Sequence, residues 1–169
     1  MSLPFPDPSI PAPSRSAVLL GYLDYFRSRL ASKLESLPAG ELRASRVPSG
    51  WTPLELLRHV VQAELRWLEW RFEGREIADP WAEDRDGRWH VAPGETLGDL
   101  LAAMRAQAAR TAAIAGAHDL ADLGQPSDRW DGGGPATLER VLLHMIQEYA
   151  RHLGQLDIVS ELAGGEVGE

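Results

Sequence analysis

Apolar residues recur along this chain at three- and four-residue steps, the spacing that puts them on one face of an α-helix. Val18, Leu19, Tyr22, Tyr25, Phe26, Leu30 and Leu34 make the first such stripe and predict a helix over about 15–37, stopped by Pro38. Arg27, Arg29, Lys33 and Glu35 are expected largely on its opposite side. Thr52-Pro53-Leu54-Glu55 reads as a capping box: a hydroxyl at the N-cap, proline at the first helical position and glutamate at the third. The stripe Leu54, Leu57, Val60, Val61, Leu65, Leu68 and Phe72 follows it towards Gly74. Thr96 caps a third, alanine-rich helix through Leu97, Leu100, Leu101, Met104, Ala108, Ala112 and Ile114, ending near Gly116. Thr137, after the breaker Gly132-Gly133-Gly134-Pro135, opens the last. Its apolar series runs from Leu138 through Val141, Leu142, Met145, Ile146, Tyr149, Leu153, Leu156 and Ile158 to Leu162, a rod of about 40 Å.

Four long amphipathic helices and no extended run of period two predict an all-α fold, a four-helix up-down-type bundle with long connecting loops. The connections over about 39–51 and 75–95 exceed what a minimal bundle needs, and loops of that length are more often functional than idle. Trp81, Trp89 and Trp130 lie in such loops, where a large ring either seals a bundle end or walls a ligand pocket. Pro4, Pro6, Pro8, Pro11 and Pro13 hold the start extended. The expected organisation is an extended proline-rich arm over 1–14, the bundle over 15–165 and a short tail over 166–169.

Composition narrows the chemistry. The 169 residues include no cysteine, which excludes disulfides, thiolate metal sites and a cysteine nucleophile and suits a reducing compartment. The net charge of −8 repels phosphate backbones, so nucleic acid is not an expected partner. No stretch approaches the roughly 18–20 apolar residues of a membrane span. Met1 to Ser14 lacks the basic start and apolar run of a secretory signal, and the expected location is cytoplasmic.

The fourth helix carries His144, Glu148 and His152 four residues apart, hence on one slowly drifting stripe. The second places His59 within the apolar run Leu56-Leu57-Arg58-His59-Val60, where a polar ring is costly unless something satisfies it. Imidazole suits zinc, nickel, iron and copper, a carboxylate adds a hard anionic ligand, and three protein ligands leave coordination positions for water or substrate. Spacing alone matches many helices whose histidines merely pack. For His144 three roles stay open: a fourth ligand, a group orienting Glu148, or a histidine at the core edge. The second is favoured. His90, His118, Gln155 and Asp157 read as surface residues. Arg58, Arg66, Arg85, Arg88 and Arg129 could contact anions, although solvated or helix-paired arginines are commoner.

Gly50-Trp51-Thr52-Pro53 before a helix with Leu57-Arg58-His59, and the run from His144 to Asp157, resemble the DinB-like superfamily of metal-binding four-helix bundles. Trp89 with Gly94-Glu95-Thr96 resembles an uncharacterised branch of it. The likeness covers about three quarters of the chain and is most specific in the fourth helix. In many relatives one histidine of helix two and a His-x3-His pair of helix four hold the metal. Here Glu148 stands at the first position of that pair and His152 keeps the His-x-Gly-Gln context, as in the mycothiol-dependent maleylpyruvate isomerase branch. The resemblance thus implies His59, Glu148 and His152 as ligands, with zinc expected and nickel or iron as alternatives.

It also implies a metal-dependent transferase or isomerase using a low-molecular-weight thiol of the mycothiol or bacillithiol type, acting on a small molecule as a homodimer. With no cysteine in the chain, the sulfur would come from that cofactor. A metal-dependent hydrolase and a non-catalytic metal- or ligand-binding stress accessory protein remain the alternatives.

Overall fold

The computed structural model describes residues 3–165; the tail expected over 166–169 lies outside the described residues. Helix α1 spans Arg15–Ser36, α2 Pro53–Leu65, α3 Leu97–Ala117 and α4 Leu138–Leu162. They form a four-helix bundle, in which α1 packs chiefly on α4 and α2 on α3, with α2 also meeting α4. The capping logic holds at the atomic level. Thr52 and Glu55 exchange side-chain and backbone hydrogen bonds at the start of α2, and Thr96 and Asp99 do the same for α3. Each satisfies amide donors that the first turn would otherwise leave unpaired. The core is the inward stripes together: Leu23, Leu30 and Leu34 of α1, Leu56, Leu57 and Val60 of α2, and Leu142, Met145, Tyr149 and Leu156 of α4 are all fully enclosed. Each buried leucine contributes on the order of 1.5–3 kcal/mol.

Several expectations need correction. The helix expected to run towards Gly74 is α-helical only to Leu65; Arg66–Phe72 continue it as a π-helix. That wider turn brings Trp67 to 4.4 Å from the His144 ring and buries Arg66, Glu69 and Arg71. Arg27 and Lys33, expected on the solvent side of α1, are each 4% exposed. Both are held there by carboxylates from other helices, Glu64 for Arg27 and Asp157, at 2.6 Å, for Lys33. Periodicity reports the apolar stripe but is blind to a cation that finds a partner inside. Asp157, read as surface, is that partner.

Glu64, fully buried on α2, draws one group from every other helix. Arg27 of α1 pairs with both its oxygens, Thr111 of α3 donates its hydroxyl to Oε1, and Tyr149 of α4 donates to Oε2 at 2.7 Å. Burial alone would lower the Arg27 pKa, but the adjacent Glu64 carboxylate outweighs it and holds the guanidinium charged. Burial and the same carboxylate push the Tyr149 phenol up. This single carboxylate fixes α2 against α4 within two turns of His59.

The only strands among the described residues are Asp84–Arg85 (β1) and Arg88–Trp89 (β2), a two-residue-turn hairpin inside the second long connection. Asp86 and Gly87 both have positive φ, 54° and 75°, as a type I′ turn requires. The first connection holds a short 3₁₀ turn, Glu41–Arg43. Residues 3–14 are non-helical and lie back on α1, with Phe5 edge-on to Tyr22 and Tyr25 and the Leu3 amide donating to Ser28. Among the described residues, no helix is long and apolar enough to cross a membrane.

Candidate metal centre

His59 leaves the middle of α2 and faces Glu148 and His152 of α4, one helical turn apart. His152 Nε2 lies 3.2 Å from Glu148 Oε2, and His59 Nε2 lies 3.7 Å from the same oxygen. One potential ligand atom from each residue falls within 4.8 Å of the others. Ligands held at about 2.0–2.1 Å on a tetrahedral ion sit roughly 3.3 Å apart, so the three groups need only small adjustments to share one cation. The donor set fits: two neutral imidazoles and one anionic oxygen, half-buried at a helix–helix seam.

The surroundings orient these groups. His152 Nδ1 is 2.8 Å from Gln155 Oε1, so its Nε2 is the nitrogen left to point inward. Gln155, read from the sequence as helix surface, therefore orients a site residue. The two imidazole centroids are 4.9 Å apart at 77°. The hydrogen bond from His152, then the close approach of His59, hold the Glu148 carboxyl far below the ordinary carboxylate range despite partial burial. Burial disfavours a charged His59, but Glu148 and Glu83 outweigh it and raise its pKa. Without a cation, Glu148 is thus the anion on which both imidazoles converge.

His144 lies one turn before Glu148, with Nε2 3.8 Å from Glu148 Oε1 and its ring tilted against Trp67. Burial lowers its pKa, with Arg71 and Arg66 adding to the effect against the pull of Glu148. It faces the carboxylate oxygen turned away from His59 and His152.

The second connection supplies what helix spacing could not. Trp89, on β2, stacks on His59 with centroids 4.2 Å apart and 18° between planes, and meets His152 edge-on at 5.2 Å. Its neighbour Trp51, from just before α2, helps line a cavity of about 270 Å³ with Ser49, Glu55 and Arg88. Of the three loop tryptophans, then, Trp89 covers the site. Trp130 is buried beside Trp67 as a seal, and Trp81 is half exposed beneath the Arg66 guanidinium. Glu83, 2% exposed and one residue before β1, brings a carboxylate 3.7 Å from His59 Nδ1. Sequence reasoning passed over it. The nearby signal was Asp86-Gly87, a hairpin turn pair that would have placed Glu83 and Trp89 on adjoining legs of one excursion.

The arginines divide. Arg58 pairs with Glu95, Arg66 with Glu83 at 2.7 Å, and Arg129 with Glu76 and two backbone carbonyls, so all three serve structure. Arg85 and Arg88 are exposed on the hairpin.

A family model described as mycothiol-S-transferase matches residues 18–165, a span that takes in α1 from its fourth residue, the other three helices and the hairpin. No curated protein matches the chain.

Proposed function

This chain belongs to the mycothiol-S-transferase family, a DinB-like family, and on that premise we propose that it is a divalent-metal-dependent enzyme transferring the sulfur of a low-molecular-weight thiol to a small electrophile. The observation that supports this reading is the convergence of two imidazole Nε2 atoms and one carboxylate oxygen from α2 and α4. His59, Glu148 and His152 would hold the ion, with zinc first and nickel or iron as alternatives. A divalent cation held there would lower the pKa of a bound thiol and so supply, at neutral pH, the nucleophile that a chain without cysteine lacks.

The protein's own groups do the rest. Gln155 fixes which nitrogen of His152 faces inward. His144 orients Glu148 from the side opposite the two histidines. Trp89 shields the imidazoles from bulk water on one flank, which strengthens electrostatic interactions behind it. The cavity between Trp51 and Trp89 lies close enough to take the non-reacting part of thiol or electrophile. Conversion consumes R–SH and R′–X and yields R–S–R′ and HX. The thiol proton leaves to solvent or with the departing group.

Purified protein loaded with zinc, nickel or iron, then given mycothiol and an alkylating bimane dye, tests the proposal. Adduct formation should require both metal and thiol, and His152→Ala should lose both metal and turnover. Ester or amide turnover without thiol would instead support a metal-dependent hydrolase. A fully loaded protein inert in both assays would support a binding role. Assembly as a homodimer belongs to the same proposal; a sedimentation mass equal to that of one chain at micromolar concentration would remove it.

A further inference from the structure

The loop over 79–83 is laid along α2 by a stripe of side chains spaced one turn apart. Arg58 donates to the Ala82 carbonyl at 3.3 Å, Gln62 to Asp79 at 3.1 Å and Arg66 to Pro80 at 3.1 Å. Arg66 also covers the Trp81 ring at 3.8 Å. Three anchors on one helix face, each on loop backbone, hold this segment in one position and deliver Glu83 into the interior.

A carboxylate 2% exposed is costly unless its oxygens are paired. Arg66 takes Oε1 of Glu83, but Oε2 is buried with no partner. His59 Nδ1 is also buried with no hydrogen-bond partner, and it lies 3.7 Å from Glu83 Oε1, the oxygen that Arg66 reaches. An unsatisfied buried ring nitrogen thus faces a buried carboxylate that still has one unpaired oxygen, across a gap of 3.7 Å to Oε1. A shift of under about 1 Å would close it to a hydrogen bond. The partner ring shows the closed form of the same arrangement, with its Nδ1 on Gln155 at 2.8 Å and its Nε2 towards Glu148.

We propose that Glu83 is a positioning residue for His59: its carboxylate accepts the Nδ1 proton, fixes the tautomer with a free Nε2 lone pair, and aims that nitrogen at Glu148 and His152. Glu83 does for the ring of α2 what Gln155 does for the ring of α4, but with a charged acceptor, which strengthens the bond and raises the basicity of Nε2. The inference rests on the metal reading above for its consequence, although the tautomer is a property of the metal-free protein. The long second connection thereby gains a role, since it brings a carboxylate to the otherwise unpartnered His59 Nδ1.

The test uses full-length protein as wild type, Glu83→Gln, Arg58→Met, and Glu83→Gln in a His59→Ala background. Zinc affinity is read by chelator competition, apo-protein melting gives the structural cost, and nitrogen-15 NMR at alkaline pH reads the His59 tautomer without metal. Wild type should hold the proton on Nδ1, and Glu83→Gln should give a mixture and weaken zinc about tenfold, within the usual 10–100-fold for such partners. Arg58→Met loosens the loop without touching Glu83, so it should lower the melting temperature with less loss of zinc. With His59 removed, Glu83→Gln should change residual affinity by less than twofold. Unchanged zinc affinity and tautomer in Glu83→Gln would overturn the inference, as would equal zinc losses in Glu83→Gln and Arg58→Met at equal melting loss. Failure of wild type to bind zinc would strike the metal reading instead, leaving the tautomer to decide the role of Glu83.

Discussion

Tyr149→Phe isolates one bond of the buried knot that sets α2 against α4. The ring keeps its volume, so no cavity opens and the change reduces to losing the hydroxyl that donates to Glu64 Oε2 at 2.7 Å. Hydrogen bonds to charged acceptors contribute about 1.5–3 kcal/mol. Here the acceptor is not orphaned, because Arg27 Nε still reaches the same oxygen at 3.2 Å. The expected loss is therefore at the lower end, about 1.5–2 kcal/mol, or about 3–8 °C in melting temperature for a chain of this size. Urea denaturation of metal-free protein is the assay, since bound ligand would add its own stabilisation. Glu64→Gln, which leaves Arg27 with only the largely exposed Asp24, at 2.6 Å, as counter-ion, should cost more, about 3 kcal/mol. A Tyr149→Phe loss under about 0.5 kcal/mol, with an unchanged denaturant slope, would refute the view that this network holds the two site-bearing helices together.

Thr96→Ala removes the acceptor for the Asp99 amide and half of the capping box of α3; unfolding should become easier by about 1 kcal/mol, checked by denaturation at neutral pH. The Glu148–His59 pair gives the metal-free fold a pH-dependent increment with two edges. The Glu148 share is present above its ordinary value near 4.5 and lost as pH falls towards its depressed folded value, while the His59 share is present below 6.5 and lost as pH rises through its raised folded value. The stability difference between wild type and Glu148→Gln should accordingly peak between those edges, and a difference independent of pH would contradict it. Cobalt(II) titration should quench tryptophan emission at the site, and Trp89→Phe should remove the largest share of that quenching because Trp89 stacks directly on His59. An undiminished response would move Trp89 away from the ion.

Much of the bundle could be read from the chain because its signals are local. Thr52-Pro53-Leu54-Glu55 announces α2 within four residues, and the stripe from Leu138 to Leu156 leaves little choice for α4. The spacing of His144, Glu148 and His152 likewise requires only a helix to put them on one side. What could not be read depends on partners far apart in sequence. The burial of Arg27 is decided by Glu64, 37 residues later, and that of Lys33 by Asp157 at the far end of α4. Leu65 to Phe72 continues the apolar stripe without a mark for its π-helical turn. Glu83 lies in a loop whose path is set by Arg58, Gln62 and Arg66, residues that look like an ordinary polar face of α2. Its role emerges only when the loop is seen folded back over His59.

The central claim is that His59, Glu148 and His152 hold one divalent cation, and the most direct test is metal content of protein purified without a histidine tag. Wild type, His59→Ala and Glu148→Ala should be compared by elemental analysis after equal reconstitution. The account predicts close to one zinc, nickel or iron per chain in wild type and near-complete loss in both variants. Acidification should release the ion as the ligands protonate. Equal metal in all three proteins would contradict the ligand assignment, and no uptake by any of them would leave these residues as polar bundle positions and remove the chemistry proposed for the site.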